Sequence, residues 1–314
     1  MIPLHTIILP LYLKTPSKFI IAGDPFQIEP ITTIDLWRNE NIYTLTELQS
    51  FTHPTTKPHN YPVTTLTTQY RSIPDIGDIY SKLAYGGILK HAREADSQRP
   101  ISLGNGTQLD TLNIIRFPVK KYESVYRAKR LHQSSCYHIY SALLVFEYVC
   151  HLVRTIDKHN PDICLRIGII APYRAQADMM DRLMSSVRLP EHLKVLVGTI
   201  HSFQGDECDI IFAVLNTPPN LSDSQRIFLN KLNILNVSLS RARDYLFLVM
   251  PDEDTEGMDC LALLRKIEQL LKATGACREV SSASLEEEDI PGCAFSGEQR
   301  LFDESSDGQC LWIA

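Results

Sequence analysis

The sequence predicts an α/β protein with a mostly parallel sheet that is covered by helices on both faces. Four short apolar runs, at residues 165–170, 195–200, 210–215 and 245–250, have the length and composition of buried strands. Helix-like segments alternate with them, and the clearest is 139–156, whose apolar residues form a wide arc. Apolar strands that alternate with helices are typical of a parallel sheet in an α/β fold.

The first part of the chain has the pattern of the end of another α/β unit. Residues 7–13 form a short apolar run, either helical or a buried edge, and residues 18–22 are predicted to be a strand. That strand stops abruptly at Gly23-Asp24-Pro25, a typical junction between a strand and a loop. A loop rich in threonine and proline at 54–62 then marks the boundary between two units.

Further elements can be placed between and after these regions. A helix is predicted at 75–83, where a Gly-Gly pair closes it, and another at 172–184. Residues 90–121 are polar and irregular, which indicates a surface insertion with one strand near 112–117. An amphipathic helix is predicted at 258–273, and the acidic, serine-containing tail after it is expected to be mobile.

Composition sets the broad class of protein. The chain has 314 residues, 44% hydrophobic and 22% charged, and its formal net charge is −6, so no global basic signal indicates nucleic acid. A local basic groove on an acidic protein stays open. The apolar run near the N-terminus is far shorter than the ~20 residues that span a bilayer, which predicts a protein without a membrane segment.

The eight cysteines are scattered and form no CxxC pair. This pattern predicts reduced thiols and an intracellular protein, cytoplasmic or nuclear, rather than a disulfide framework. One local group of possible metal ligands, His132, Cys136 and His138, lacks a second pair at zinc-like spacing, and we predict no metal site there.

Two polar turns at strand ends carry the main functional signal. The first, at 197–209, joins two predicted strands, and the second, at 236–243, is predicted to be an arginine-bearing helix start before a third strand. On neighbouring strands these turns would bring Gln204, Glu207 and Arg241 to one edge of the sheet. We expect the carboxyl edge, where open α/β sheets bind ligands. Such side chains suit a nucleoside triphosphate, with arginine at the γ-phosphate.

Other residues fit the same hypothesis, although each pattern alone has a plainer interpretation. Gln27 follows the Gly-Asp-Pro junction and could bond a phosphate oxygen, but a plain turn is the better explanation of this pattern alone. Tyr70 could stack on a base while Arg71 reaches a phosphate, or both could lie in a surface loop. Gly205 allows close backbone approach to a ligand. Glu207 could be a solvated charge, and Arg241 could make a weak surface ion pair.

The order of five segments is more specific than any one of them. Together they resemble the C-terminal half of superfamily 1 helicases, most closely the group with the nonsense-mediated-decay helicase and the DNA replication and repair helicase-nuclease. The likeness covers roughly residues 15–250, and the five segments are GDPFQ, QYRSIPDI, IGIIAPYRAQ, GTIHSFQGDECD and LNVSLSRAR.

The resemblance implies a RecA-like domain, preceded by a remnant of the RecA-like domain before it, and a role for each matching residue. Catalytic roles fall to Gln27, which senses the γ-phosphate, and to the arginine fingers Arg71 and Arg241. Nucleotide contacts fall to Tyr70, which stacks on the base, and to Gly205 and Glu207. Nucleic-acid contacts fall to Thr199 and, less directly, to Tyr173 and Gln176.

The chain also departs from the family pattern. His201 stands where the family usually has aspartate. The sequence contains no GxxxxGK[ST] phosphate loop, and the Asp-Glu pair for Mg²⁺ that the family has ahead of the GDPFQ segment is missing. ATP with Mg²⁺ is therefore expected only in the complete enzyme, with little hydrolysis and no tight nucleotide binding by this chain alone. The expected partners are single-stranded DNA or RNA and a missing N-terminal RecA-like half. The alternative is a non-catalytic RecA-like module that binds nucleic acid or protein.

These patterns predict three regions. Residues 1–64 would be the remnant of the first RecA-like domain with a linker. Residues 65–255 would be the second RecA-like domain with its insertion, and residues 256–314 a C-terminal helix with an acidic tail.

Overall fold

The computed structural model describes residues 18, 20–28, 42–45, 62–119, 128–131, 135–217, 228–252 and 261–285. The apolar run at 7–13, most of the loop at 54–62, His132 and the acidic tail beyond 285 lie outside the described residues.

A six-stranded parallel sheet forms the centre of the protein, in the order β12-β5-β11-β10-β8-β9. Every neighbouring pair in it is parallel. The strands in chain order are β1 (Thr68–Gln69), β2 (Lys90–His91), β3 (Ser102–Gly104), β4 (Thr107–Gln108), β5 (Leu112–Phe117), β6 (Lys129–Leu131), β7 (Ser135–Tyr137), β8 (Leu165–Ala171), β9 (Leu193–Thr199), β10 (Cys208–Val214), β11 (Ala242–Pro251) and β12 (Cys277–Ser281). The apolar runs place buried side chains on both faces of β10 and β11, as parallel sheets require.

Helices cover both faces of this sheet, which confirms the predicted α/β architecture. They are α1 (Ile42–Leu45), α2 (Pro74–Ala84), α3 (Ile139–His159), α4 (Arg174–Ser185), α5 (Leu232–Leu239), α6 (Ala262–Lys272) and the short α7 (Ser282–Ser284). One core cluster packs α2, α5 and α6 against one face, and a second packs α3 and α4 against the other. The two clusters account for the apolar stripes that the sequence shows in these helices.

Local sequence signals explain where several helices begin and end. Pro74 occupies the first turn of α2, where its missing N–H costs nothing. Gly86 follows α2 with φ of 63°, a backbone conformation that glycine adopts without strain. His138 caps α3, and its Nδ1 accepts a hydrogen bond of 3.1 Å from the backbone N–H of Ser141.

The helix α3 is, among the described residues, long and apolar enough to cross a membrane by length and composition. Its most apolar window is 61% buried inside the protein. That burial, against β-strands of the central sheet, makes it a core helix.

Three two-stranded sheets are separate from the central sheet. β1 and β2 form a short parallel pair in which Gln69 lies opposite His91. β3 and β4 form an antiparallel hairpin, and β6 and β7 form another. The β3–β4 turn contains Asn105 with φ of 52°, as tight turns of this type require.

The structure corrects two predictions about the regions beside the sheet. Residues 90–121 are not wholly a surface insertion, because β5 lies inside the sheet between β12 and β11 with all six residues buried. The strand itself was predicted near 112–117, but its place inside the central sheet was not. Residues 20–23 are not in a strand, and Ile20 is 94% exposed, since within the described residues no neighbouring strand pairs with them.

The C-terminal region belongs to the same sheet through residue 285. The sequence missed β12, whose composition is polar and short, yet it pairs with β5 along its whole length. A buried ion cluster fastens this region: Arg116 on β5 donates to Glu268 on α6 at 2.6 Å and to Glu279 on β12 at 2.8 Å. Lys272 reaches both carboxylates at 3.0 Å.

Candidate nucleotide half-site

The candidate site lies where β10 and β11 begin. The predicted helix ends at Leu239, before the arginines, so Arg241 occupies the turn into β11 rather than a helix start. The backbone carbonyl of Arg241 accepts a hydrogen bond of 3.0 Å from the N–H of Cys208, the first residue of β10. Glu207 and Arg241 therefore meet at the amino edge of the sheet. The prediction of the carboxyl edge is wrong, because both residues precede their strands.

Arg241 is almost completely buried, with 3% of its surface exposed. Its guanidinium donates to the carbonyl of Asp206 at 3.2 Å, to Gln27 Oε1 at 3.2 Å and to Ser240 Oγ at 3.3 Å. Its Nε has no partner, and no carboxylate of the described residues forms an ion pair with it. Burial, and then the neighbouring charge of Arg71, lowers the pKa of Arg241 to about 10.

A second group of charges surrounds Glu207. Arg71 Nε donates to one carboxylate oxygen at 2.9 Å, and Arg243 Nη1 donates to the other at 3.0 Å. Partial burial raises the pKa of Glu207, but the hydrogen bond and charge of Arg71 and the charge of Arg243 outweigh it, so the net shift is downward. One carboxylate thus holds two arginines that came from distant parts of the chain.

The Gly-Asp-Pro-Phe-Gln segment docks directly on this edge. Asn233 and Asn236 on α5 donate to the backbone carbonyls of Gln27 and Phe26, at 3.0 and 2.9 Å. The phenol of Tyr85 donates to Asp24 at 2.5 Å and the ring of Phe26 meets that of Tyr85 edge to face. These contacts bring Gln27 to Arg241, as the prediction of a common site for the two residues requires.

The turn after β1 is tied to the start of β11 by backbone contacts. Ser72 Oγ donates to the carbonyl of Ala242 at 2.5 Å, and the N–H of Ile73 donates to the carbonyl of Arg243 at 3.0 Å. Arg71 Nη1 also donates to the carbonyl of Ser240 at 2.9 Å. The two arginine-bearing segments are therefore held side by side.

Two further predicted residues, Tyr70 and Gly205, lie next to the residues of this edge in the chain. Tyr70 is 75% exposed next to Arg71, so one face of its ring is open to a ligand. Gly205 has φ of 98°, and an added Cβ would meet no atom within 4 Å. Glycine is needed there for its backbone conformation rather than for space.

Thr199 and Tyr173 occupy the opposite, carboxyl edge of the sheet. Thr199 ends β9, and its Oγ1 accepts from the backbone N–H of Ser202 at 3.3 Å. Tyr173 follows β8, and its ring lies 6.1 Å from that of Phe228, which stacks on His201 at 5.7 Å. The structure thus separates these two residues from the arginine edge by the length of the strands.

Gln176 does not belong with them, and its predicted contact with nucleic acid is wrong. Its side chain is completely buried. Its Oε1 accepts from the backbone N–H of His138 at 2.7 Å, and its Nε2 donates to Ser141 Oγ at 3.2 Å. It links α4 to the start of α3, a structural role that its position one turn into a helix did not reveal.

Sequence reasoning also missed functional neighbours. Arg243 shares Glu207 with Arg71, and its position two residues after Arg241 was the available signal. Arg93, from the region expected to be an insertion, donates to the carbonyl of Arg71 at 2.8 Å and to Asp244 at 2.6 Å. No group of three possible metal ligands occurs among the residues that the structure describes.

A parallel sheet with helices on both faces has the architecture of a RecA-like domain, and a buried arginine lies beside a docked glutamine at one edge of this sheet. The comparisons with known proteins give the family. The model of the family described as "AAA domain" matches residues 47–253, which is more than half of the chain. The chain belongs to this AAA domain family, as a C-terminal domain of a superfamily 1 helicase.

Several curated helicases are similar over most of the chain. The helicase sen1 of Schizosaccharomyces pombe is 26% identical over 236 residues, covering 74% of this chain and 13% of that protein. The DNA replication ATP-dependent helicase/nuclease JHS1 of Arabidopsis thaliana is 24% identical over 259 residues, covering 79% of this chain and 18% of that protein. The chain therefore spans only a small part of the length of these relatives.

A solved structure is also similar. It is the C-terminal domain of a possible DNA helicase from Lactobacillus plantarum WCFS1, with 15% identity and a TM-score of 0.33, covering 67% of this chain and 98% of that one.

Proposed function

We propose that this chain is the C-terminal part of an ATP-dependent DNA or RNA helicase and supplies one wall of an ATP site between two RecA-like domains. Arg71 and Arg241 act as arginine fingers on the phosphates, and Gln27 senses the γ-phosphate. Tyr70 stacks on the base, and Gly205 and Glu207 line the ribose and phosphate side.

One observation carries the proposal: a buried guanidinium with unused capacity for an anion. Arg241 is 3% exposed and has no ion-pair partner in the described part of the chain, and its Nε donor is unbonded. A buried charge without a partner is costly, and such positions are kept where a ligand completes them. A phosphoryl oxygen is the anion whose geometry an arginine fork matches best.

Arg71 would bind the same phosphate group as Arg241 once a nucleotide is present. The Arg71 side chain is 31% exposed and forms an ion pair with Glu207. That carboxylate occupies the position that a phosphate of the ligand would take. A triphosphate beside Arg241 would compete with Glu207 for Arg71 and Arg243. In related phosphoryl-transfer sites an arginine finger is worth roughly 10³ to 10⁵ in rate.

The other wall of the site would come from a preceding RecA-like half. The sequence has no GxxxxGK[ST] segment and no Asp-Glu pair before Gln27, so the residues that would cradle the phosphates and hold Mg²⁺ are not in it. Mg²⁺ bound there would neutralise charge on the transferring phosphoryl group. Ile20 and Ile21, which are exposed just before Gly23, suit contact with that half. We propose that this chain alone hydrolyses ATP negligibly and binds it weakly.

The carboxyl edge would contact single-stranded nucleic acid. Thr199 ends β9 and is partly exposed, and Tyr173 lies beside an aromatic pair that could stack on bases. We further propose that residues 1–64 are the remnant of the first domain, that residues from 65 onward form the second, and that the protein is intracellular, cytoplasmic or nuclear. The described cysteines are all free thiols, which supports an intracellular location.

A second candidate function is a non-catalytic RecA-like module that binds nucleic acid or protein. The lack of a phosphate loop in the sequence favours it. The retention of both Arg71 and Arg241 favours the helicase. An in-frame or adjacent upstream coding segment with GxxxxGK[ST] and an Asp-Glu pair would support the helicase, and an upstream region without either would support the module.

The half-site can be tested directly on this chain. We expect inorganic tripolyphosphate to shift the Nε–Hε resonances of Arg71 and Arg241 in ¹⁵N spectra, and the Arg241→Ala variant to weaken the response of Arg71. The matched control is Arg182→Ala, which removes an exposed arginine of α4, the helix that packs on β8 and β9. The proposal fails if Arg71 and Arg241 do not respond, or if Arg182→Ala weakens the response equally.

Hydrolysis and nucleic-acid binding give two further readouts. A turnover rate near that of intact helicases, abolished by Arg241→Ala, would contradict the proposed dependence on a second half. For nucleic acid, we expect affinity for a single-stranded oligonucleotide to fall steeply with salt as counterions are released. Binding without any salt dependence would count against both nucleic-acid functions.

A further inference from the structure

A polar network behind Arg71 points to a residue role that nothing above assigns. Gln69 lies at the end of β1, and its Oε1 accepts from the backbone N–H groups of Arg71 and Ser72, each at 2.9 Å. Its Nε2 donates to the carbonyl of Ser72 at 2.8 Å and meets His91 Nδ1 at 2.8 Å. All the donors and acceptors of the amide are thus used, and they fix the backbone turn that carries Arg71.

These contacts determine the orientation of the amide and the tautomer of His91. Two backbone N–H groups require an oxygen opposite them, so the amide of Gln69 cannot be reversed. Its Nε2 is therefore the donor toward His91 Nδ1, which must be unprotonated. The proton of the neutral imidazole then sits on Nε2 and points at Asp78 Oδ1, 2.9 Å away.

The surrounding structure leaves room for this pair and for nothing larger. Gly77 on α2 faces it, and a Cβ there would lie 2.5 Å from His91 Nδ1 and 2.9 Å from Gln69 Nε2. Glycine inside a helix costs about 1 kcal/mol relative to alanine. The close approach of the pair is a physical reason to keep it.

We propose that Gln69 and His91 form a proton-sensitive positioning unit for Arg71. The proposal rests on the proposed function, in which Arg71 reaches a nucleotide phosphate. Arg93 also fixes the backbone of Arg71. Its Nη1 donates to the carbonyl of Arg71 at 2.8 Å and to that of Arg243 at 3.3 Å. Side chains from β1 and from the segment after β2 therefore hold the N–H and the carbonyl of Arg71.

Protonation of His91 would break this unit. A proton on Nδ1 would face the N–H of Gln69 at 2.8 Å, so two donors would oppose each other and the contact would be lost. The charged groups that face the imidazole are Asp78 on α2 and, beyond it, Lys82, which pairs with the other oxygen of Asp78 at 3.4 Å. In sequence, Lys90 precedes His91 within β2, and Arg93 follows that strand. The Gln69 amide would then keep three of its four hydrogen bonds, and the turn that carries Arg71 would be held less firmly.

The test uses the ¹⁵N-labelled chain without nucleotide. We expect the imidazole spectrum of His91 to show the neutral Nε2–H tautomer. As the pH falls from 8 to about 5, the Arg71 Nε–Hε resonance should shift with the midpoint of His91. Glu207 stays ionised over this range, because its pKa lies below the ordinary value. His192, which pairs with Asp157 at 3.3 Å, is the internal control, and its titration should leave Arg71 unchanged.

The Gln69→Glu variant should reverse the effect of protonation, so that the contact between residues 69 and 91 favours the protonated imidazole. A carboxylate accepts from Nδ1–H, so the protonated imidazole would lie between two carboxylates. We expect the midpoint of His91 to rise by about one pH unit or more, tenfold in its protonation equilibrium, with the midpoint of Arg71 following it. A wild-type Arg71 resonance that ignores the titration of His91, or an Nδ1–H tautomer, would overturn the proposal without any variant.

The outcomes separate this inference from the function on which it rests. If Arg71 follows His91 but ignores tripolyphosphate, the positioning unit stands and the nucleotide half-site fails. If Arg71 responds to tripolyphosphate but not to His91, the half-site stands and the positioning unit fails.

Discussion

The buried ion cluster that joins α6 and β12 to β5 gives a quantitative test of the fold. The perturbation is Glu268→Ala. The Glu268 side chain is 6% exposed and accepts from Arg116 at 2.6 Å, with Lys272 at 3.0 Å. Its removal leaves the guanidinium of Arg116, 8% exposed, with Glu279 and a backbone carbonyl.

The structure sets the expected magnitude. Breaking a buried pair by removing one partner costs about 3–5 kcal/mol, because the other charge stays buried. Since Arg116 keeps Glu279, we expect the lower end, about 3 kcal/mol in the free energy of unfolding. The control is Arg166→Ala, which removes a surface pair with Asp206 that is 3.5 Å long and about half exposed on both sides. That change should cost at most about 1 kcal/mol.

Urea unfolding followed by circular dichroism measures both variants. A loss below about 1 kcal/mol for Glu268→Ala, or equal to that of Arg166→Ala, would refute the reasoning. A double variant, Arg116→Met with Glu268→Leu, replaces the pair with apolar side chains. We expect it to be more stable than the sum of its single changes predicts, since neither charge is left alone.

The same cluster predicts a pH dependence. Burial raises the pKa of Glu268, but the hydrogen bond from Lys272 and the charge of Arg116 outweigh it, so the net pKa is lowered. A lowered acid pKa contributes stability that is fully present above the unfolded value, about 4.5, and is lost as the pH falls through the folded value. Stability should therefore decline in acid, and less steeply in Glu268→Ala.

Three further predictions separate structural roles from functional ones. Gln176→Ala should cost about 1–3 kcal/mol of unfolding free energy, because it leaves buried groups unpaired, while affinity for single-stranded nucleic acid stays unchanged in a salt titration. Tyr70→Ala should leave stability within about 0.5 kcal/mol, yet lower the ratio of ATP to tripolyphosphate affinity about fivefold or more if its ring stacks on the base. Asn236→Ala removes the hydrogen bonds to the carbonyl of Phe26 and to Tyr85, so limited proteolysis should cut near residue 26 faster than in the wild type.

Much of the sheet could be predicted from the sequence, and the reason is physical. Strands buried on both faces, such as β8, β10 and β11, must be continuous apolar runs, and such runs are visible without a structure. β12 was missed because it is an edge strand, where one side needs no apolar partner and its residues Cys277–Ser281 are mostly polar. Periodicity cannot distinguish such a strand from a loop.

The sequence predicted which residues belong to the site better than it predicted the contacts between them. The resemblance to helicases implied that Gln27 and Arg241 share one site, and in the structure Arg241 donates to Gln27. The partners Glu207 for Arg71 and Arg93 for the carbonyl of Arg71 depend on contacts 136 and 22 residues apart in sequence, which spacing does not encode. Gln176 was misassigned because a buried polar side chain and a ligand-binding one look alike in sequence.

The error over the sheet edge comes from the path of one short segment. Thr199 ends β9 beside Ala171, at the carboxyl edge, whereas β10 begins at the amino edge, so residues 200–207 must run back along one face of the sheet. Phe203 lies 4% exposed in this segment, and a Cβ on Gly168 or Gly198 would approach its ring to 3.0 or 3.1 Å. The two glycines let the ring pack flat on the strands. Because that packing fixes the segment, the candidate nucleic-acid contact at Thr199 and the candidate nucleotide contact at Glu207 are the two ends of one packed connection.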